Sequence, residues 1–422
     1  MGKEQIKEHG ALSCYRALDL TDEKGQLCGK VLGDLGADVI KIERPGGDPS
    51  RNIGPFYHDI PDPEKSLSWF ALNANKRGIT LNIKSKDGQE LFKKLVKTAD
   101  FVIESFEPGY MDTLGLGYSA LKQINPRTIM ASVTHFGQTG PYRDYKGSGL
   151  IDSALGDTMY ATGDPHRAPL QIAYHPQAYC HAGVEAAAAI MLACYHRQTT
   201  GEGQYIDVSL QECMCWTASD LIPYWDVGKD IVPRQGSKRY RPDTGVFFQT
   251  LWPCKDGFVS YPYMGGKFGA RSNRAIVKWM EEDGIDVDFL KAVNWEEFDW
   301  ATMTQDETDR REEITSDFFA KHTKVELFRG ALERHVMLYP VATPKDMVEF
   351  DQLRARGFWV ELDHPELSTT ITYPGAWGKA SETPIQIQRR APLIGEHNRE
   401  IYNGELGLSD EVLVILKQNN VI

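Results

Sequence analysis

Between residues 25 and 136 the hydrophobic period switches repeatedly between helical and extended spacing, and this alternation restricts the fold more than any other feature of the chain. Leu27, Val31, Leu32 and Leu35 recur at helical intervals, Gly36 breaks the pattern, and Val39, Ile40 and Ile42 follow as a β-branched run. The next stretch, RPGGDPSR at 44–51, holds two glycines and two prolines and reads as a loop. GITLNI at 78–83 reads as a strand, SKDGQELFKKLVKTA at 85–99 as an amphipathic helix with Leu91, Leu95 and Val96 inward, and DFVIESF at 100–106 as another strand. A short helix around 118–124 and a strand over TIMASVTHF at 128–136 continue the series. Strands separated by helices of about ten to fifteen residues predict βαβ units in a mainly parallel sheet, with ligands at loops leaving the carboxyl ends of the strands. The glycines of GDLGADVIKIE precede their strand instead of following it, so the dinucleotide fingerprint is missing.

At 422 residues the chain is long enough for two domains or one elaborated α/β unit. With 47 basic and 59 acidic side chains the formal charge is -12, which speaks against a nucleic-acid partner while allowing a local basic pocket for a small anion. The seven cysteines are scattered, and Cys213-Met-Cys215 has the wrong spacing for a redox pair or a zinc knuckle. MGKEQIKEHG lacks the apolar core of a secretion signal, and the longest apolar run, near Ala186 to Ala193, is too short to cross a bilayer. A cytoplasmic protein with no membrane partner, no metal and no permanently bound cofactor is expected.

The alanine-rich segment 183–196 predicts a strong helix, and residues 205–210 alternate like a strand. From about 216 the tryptophans, MGGKFGARSNR and the charged segments WEEFDW and QDETDRREEI point to a second domain. Compact alternation returns after Tyr339. The expected division is 1–215 for the first part of a large domain, 216–338 for a small domain and 339–422 for a return to the large one.

Several long motifs accumulate in a fixed order: VLGDLGADVIKIERPGGDPSR, FALNANKRGITLNIKSKDGQELFKKLVKTADFVIESFEPGYMDTLGLGYSALKQINPRTIMASVTHFGQTGP, HRQTTGEGQYIDVSL, ARGFWVELDHPEL and APLIGEHNREIY. Together they resemble the family III CoA-transferases, over residues 19 to 400. The resemblance implies an α/β fold with a Rossmann-like large domain built from both chain ends, a smaller middle domain, and two chains interlocked like linked rings. It also implies coenzyme A or succinyl-CoA as substrate. Arg44 and Arg51 would then lie beside the adenosine and phosphate end, Asn73, Asn75, Lys76 and Arg77 would border the nucleotide with Ser105 and Phe106, and Lys146 would sit near the ligand. From the residues alone, guanidinium and ammonium groups after strands suit an anion site, but they equally suit solvated strand ends.

At one position the chain departs from that family. Active members carry an aspartate four residues before the glycine that begins the helix leading to HR-x-x-TG-x-GQ, and here Tyr179 stands in that place, within AYCHAG. The aspartate works by attacking an acyl-CoA carbonyl, forming an anhydride, and then carrying CoA as an aspartyl thioester. A phenol ionises only near pH 10 and has no carbonyl carbon to carry CoA. No residue of this chain is therefore assigned as the nucleophile. Glu185 lies six residues on, inside the helix, while Cys180 and His181 lack a readable triad and suit packing. The resemblance is nearest to the non-nucleophilic chain of two-subunit transferases that draw CoA from succinyl-CoA, with benzylsuccinate as the expected acid and a homologous partner supplying the aspartate. Two other readings stay open: an acyl-CoA racemase using His181, Glu185 or His135, and a non-catalytic CoA-binding homologue.

Overall fold

The computed structural model describes residues 10–156, 158–173, 176–241 and 243–422. The chain divides into two compact units, one of Met1–Asp157, Ala173–Ala218 and Asp351–Ile422, the other of Thr158–Ile172 and Ser219–Phe350. The larger unit is built on a six-stranded sheet: β1 (Arg16–Leu20), β2 (Asp38–Glu43), β3 (Lys76–Thr80), β4 (Phe101–Glu104), β5 (Ile129–Thr134) and β6 (Tyr205–Ser209). All neighbours pair in parallel, in the order β3-β2-β1-β4-β5-β6. Helices α1 (Gln26–Asp34), α2 (Leu67–Asn73), α3 (Lys86–Val96), α4 (Tyr110–Thr113), α5 (Tyr118–Ile124), α6 (Gly149–Gly156) and α7 (Gln177–Thr200) lie in the crossovers, and α8 (Leu210–Thr217) follows β6.

The strand expected at 78–83 starts earlier, at Lys76, and ends at Thr80. Leu81 N–H still reaches Glu43 O, but Asn82 N–H turns to Val421 O at 2.7 Å, so the chain terminus peels the backbone away from β2. The GEHNRE motif serves the same edge strand. His397 Nδ1 accepts Gly78 N–H at 3.0 Å and Asn398 Oδ1 accepts Thr80 N–H at 2.9 Å, so side chains satisfy donors that no seventh strand meets.

Helix α7 is longer than expected and contains the whole Tyr-Cys-His cluster. Its inner stripe of Ala182, Gly183, Ala186, Ala187 and Ile190 is small and fully buried. A Cβ on Gly183 would stand 2.8 Å from Leu27 Cβ, so glycine is what lets α7 approach α1 this closely. By length and composition α7 would also pass for a membrane span, with 44% of its most apolar window buried. The helix stops where Gly201 takes a left-handed φ of 79° and its N–H returns to Arg197 O. Arg197 is itself buried, donating to Arg127 O at 2.8 Å and pairing with Asp100 at 3.1 Å between the rings of Tyr15 and Phe101. HRQTTGEGQ is thus a helix stop clamped to the amino edge of the sheet.

The smaller unit holds an antiparallel sheet of Leu251–Cys254, Gly257–Ser260 and Tyr339–Pro340. Its aromatic core includes Trp252, Tyr261, Tyr263, Trp279 and Trp295. The return to the large unit falls at Asp351, later than the expected 339, because Tyr339 and Pro340 pair with Ser260 and Val259, and Val341 N–H bonds Phe258 O. Residues Thr158–Ile172 also belong here, held by Gly236 N–H to Gly163 O at 2.9 Å and by Arg234 over Tyr160. Gly265 caps the helix Gly266–Glu282, which Gly266 opens.

A buried ionic cluster ties β1, β2 and β3. Asp19, fully buried, accepts Lys76 Nζ at 2.8 Å and lies 3.4 Å from Lys41 Nζ. Burial alone would raise its carboxyl, but the two ammoniums outweigh that and hold it at about 2. Burial in turn pushes Lys76 down to about 8, with Asp19 opposing, which leaves it charged at neutral pH. Asp19→Asn should strand two buried ammoniums and cost about 3–5 kcal/mol in guanidinium unfolding. Because the folded carboxyl lies below its unfolded value near 4, its contribution is present above pH ~4 and fades as pH falls towards 2. The variant should therefore lose part of the wild-type acid sensitivity in that window; an unchanged acid transition would contradict this role.

Candidate functional site

The strand order reverses between β1 and β4, which opens a crevice over their carboxyl ends. Asp19 fixes the chain leaving β1 by accepting Thr21 N–H at 2.9 Å and Thr21 Oγ1 at 2.6 Å, while Lys41 Nζ donates to Thr21 O. The loop after β4 is clasped to it: Ser105 Oγ donates to Asp22 Oδ1 at 2.7 Å and accepts Asp22 N–H at 2.8 Å. Glu104 accepts Phe106 N–H at 2.8 Å, which fixes the backbone there, and Lys24 pairs with Asp22. Lys24, Ser105, Phe106, His135, Arg143 and Tyr145 line a tight cleft there.

Tyr179, in the first turn of α7, is only 9% exposed, and its oxygen accepts Gly149 N–H at 3.1 Å. The phenol is pushed up to about 12, by burial above all, with the Gly149 N–H opposing and the carboxylates of Glu23, Asp152 and Asp22 adding. It is therefore a neutral group at physiological pH in an acidic neighbourhood. Glu23 is itself raised by burial and by Asp22. Beside them Asp152, fully buried on α6, meets His135 Nδ1 at 2.9 Å, and its carboxyl is raised by burial against that hydrogen bond.

The expected ligand residues separate into two groups. Arg44 at the end of β2 is exposed, with Nε on Gly47 O at 3.1 Å, and Lys146 in the loop after β5 is exposed as well. With Ser105 and Phe106 they stand at the carboxyl edge. Arg51, Asn73, Asn75, Lys76 and Arg77 have other work. Arg51 is fully buried, bonded to Glu43 at 2.6 and 2.8 Å, to Glu64 at 2.7 Å and to Pro392 O at 2.9 Å, and stacked on Trp69. Asn73 Oδ1 accepts Lys76 Nζ at 2.9 Å, and Asn75 Nδ2 bonds Asp34 and Gln386 O, each at 2.8 Å. Arg77 is shared among Asp38, Glu400 and Glu405. The last three precede or open β3, so they sit at the amino edge, opposite the crevice. Asn75 and Arg77 line a separate open cavity of about 540 Å3 there, among Asp34, Asp38 and Glu400. Donors of all five, which were expected to border the nucleotide, are engaged by internal carboxylates and carbonyls.

The remaining candidates are also placed. Glu185 sits against the Cys213 thiol, and burial pushes the Cys180 thiol up, so neither is a ready nucleophile. Among the described residues no three His, Cys, Asp or Glu side chains group as a metal site. The sequence gives no sign of the His135–Asp152 pair, since only the crossover from β5 to α6 brings the two together.

Comparison with known proteins places this geometry. Residues 15–398 match the family described as CoA-transferase family III. The chain is 34% identical over 400 residues, covering 92% of it and 93% of the relative, to the succinyl-CoA:(R)-benzylsuccinate CoA-transferase subunit BbsE of Thauera aromatica. It is 31% identical over 407 residues, 94% of each chain, to the beta subunit of succinyl-CoA–L-malate CoA-transferase of Chloroflexus aurantiacus. It is 30% identical over 430 residues, 98% and 99% of the two chains, to formyl-CoA:oxalate CoA-transferase of Streptomyces coelicolor. Among solved structures, a CAIB/BAIF family protein from Brucella suis superposes with a TM-score of 0.81 at 27% identity, covering 94% and 99%.

Tyr179→Phe leaves the Gly149 N–H without its acceptor and should lower stability by about 1–3 kcal/mol in chemical unfolding. A stability equal to wild type would mean that this hydrogen bond does not hold α6 to α7.

Proposed function

This chain belongs to CoA-transferase family III, and from that premise we propose that it is the non-nucleophilic subunit of a heteromeric CoA-transferase. In this reading a homologous partner supplies the aspartate, the donor is succinyl-CoA, and the acceptor is an aryl-substituted dicarboxylic acid such as (R)-benzylsuccinate. Similarity to a protein named as a subunit of such an enzyme supports the assignment of donor, acceptor and partner. The interlocked pairing of the two chains and a cytoplasmic setting complete the proposal. Seven free cysteines suit a reducing compartment.

The observation that carries the reading is the buried phenol of Tyr179. Transfer through a side chain needs a carboxylate that attacks the donor thioester, forms a mixed anhydride, and then accepts CoA at its own carbonyl carbon. The Tyr179 oxygen is protonated, engaged with Gly149 N–H and bonded to a ring carbon that cannot become a thioester. In addition Glu23, Asp22 and Asp152 would repel an incoming carboxylate. What the carboxyl edge retains is ligand-holding capacity: Arg44 and Lys146 are exposed cations outside the cleft, and Phe106 gives the cleft an apolar wall.

The purified chain should therefore move no CoA from succinyl-CoA to benzylsuccinate by itself and should do so when assembled with a homologous aspartate-bearing chain. Tyr179→Asp should not repair it, because a carboxyl buried beside Glu23 and Asp152 favours its protonated form. Activity of that variant alone, measured by chromatography of the product thioester, would overturn the assignment of the site as inactive.

A further inference from the structure

One cluster at the crevice takes no part in transfer. His135 ends up against Asp152, whose carboxylate is fully buried and 2.9 Å from Nδ1. Gly147 covers the same side of the ring, where an added Cβ would lie 2.6 Å from Nδ1. His135 lines the cleft, and its Nε2 has no hydrogen-bond partner among the described residues. Next to it Thr134, at 3% exposure, carries a buried hydroxyl with no hydrogen-bond partner, and Thr134 lines the same cleft. Arg143 adds a second donor, because its buried Nε makes no hydrogen bond and is paired with the Asp144 carboxylate only at 3.6 Å. The exposed Glu107 is the acidic member of the lining. The space enclosed is about 20 Å3, room for about one water molecule.

A carboxylate-oriented imidazole, a space of one water with two donors on its lining, and a neighbouring phenol held in its neutral form make a set with one economical use. We propose that this chain hydrolyses acyl-CoA thioesters at the cleft, with His135 as general base, Asp152 as its positioning residue and Thr134 holding the water. The proposal rests on the reading that this chain holds an acyl-CoA, whose thioester would stand at the mouth of the cleft with only the attacking water inside. Nε2 takes a proton from water as the oxygen attacks the thioester carbonyl carbon. The tetrahedral oxyanion faces Arg143. It collapses as the carbon–sulfur bond breaks, the electron pair leaves on sulfur, and Nε2 returns the proton to the thiolate. The products are a free carboxylic acid and CoA, with water the only co-reactant.

The test uses the purified chain alone, with succinyl-CoA in 18O-labelled water. Free thiol is followed with a colorimetric disulfide reagent, and the released succinate is weighed by mass spectrometry. Thiol should appear faster than in protein-free buffer, with one 18O per succinate. His135→Gln should reduce kcat by about 100-fold or more, the range expected for loss of a general base. Asp152→Asn should lower kcat while leaving KM for succinyl-CoA in place, a split that a purely structural role would not produce. If Asp152→Asn does not fold, His135→Gln decides. Release at the buffer rate by a chain that binds CoA in calorimetry, or equal release by His135→Gln, overturns the hydrolysis and leaves the subunit role standing. Failure to bind CoA at all overturns the hydrolysis together with the ligand-holding part of that role.

Discussion

The buried carboxylate of Asp19 is the interaction on which the crevice depends. It draws the ammoniums of Lys41 and Lys76 inward from the two neighbouring strands and holds Thr21 at the point where the chain leaves the sheet. Two buried cations and one buried anion are costly to desolvate, and the arrangement persists because the remaining donors find Gln26 O, Asn73 Oδ1 and Thr21 O. The benefit is positional. With Thr21 immobile, Asp22 meets Ser105, the two loops at the reversal of strand order are joined, and the cleft between them keeps its shape.

Against that rigid floor, the chemistry is set by what α7 presents. Its small-residue stripe forces close packing on α1, so its first turn enters the crevice in a fixed orientation, and the residue there must be accommodated rather than moved aside. A neutral phenol accepting Gly149 N–H suits a pocket with Glu23, Asp22 and Asp152 around it. An ionised carboxylate would meet repulsion from all three. A neutral phenol and the acidity of its surroundings thus fit one another, an arrangement compatible with a CoA-transferase chain that works beside an aspartate-bearing homologue.

Much of this was legible before any coordinates. The βαβ periodicity predicts the parallel sheet, while the place of Tyr179 at the nucleophile position comes from the resemblance of the AYCHAG and HRQTTGEGQ motifs to the family pattern. Charges were harder to read. NANKR looked like a ligand-binding stretch, yet Lys76 and Arg77 open β3 at the edge away from the crevice and neutralise Asp19, Asp38, Glu400 and Glu405, partners up to hundreds of residues away in sequence. Sequence gives the sign of a charge but not its counter-charge. The same limit hid the His135–Asp152 pair, and it misplaced the return to the large unit, since Tyr339 and Pro340 reveal their place only through pairing with Val259 and Ser260.

The central claim is that acyl transfer never passes through a side chain of this polypeptide. Its most direct test is intact mass measurement of both chains, quenched during turnover of the assembled enzyme with succinyl-CoA and an acceptor acid. The account predicts an acyl or CoA adduct on the aspartate-bearing partner and an unmodified mass for this chain. A kinetically competent adduct on this chain, at Tyr179 or elsewhere, would contradict it.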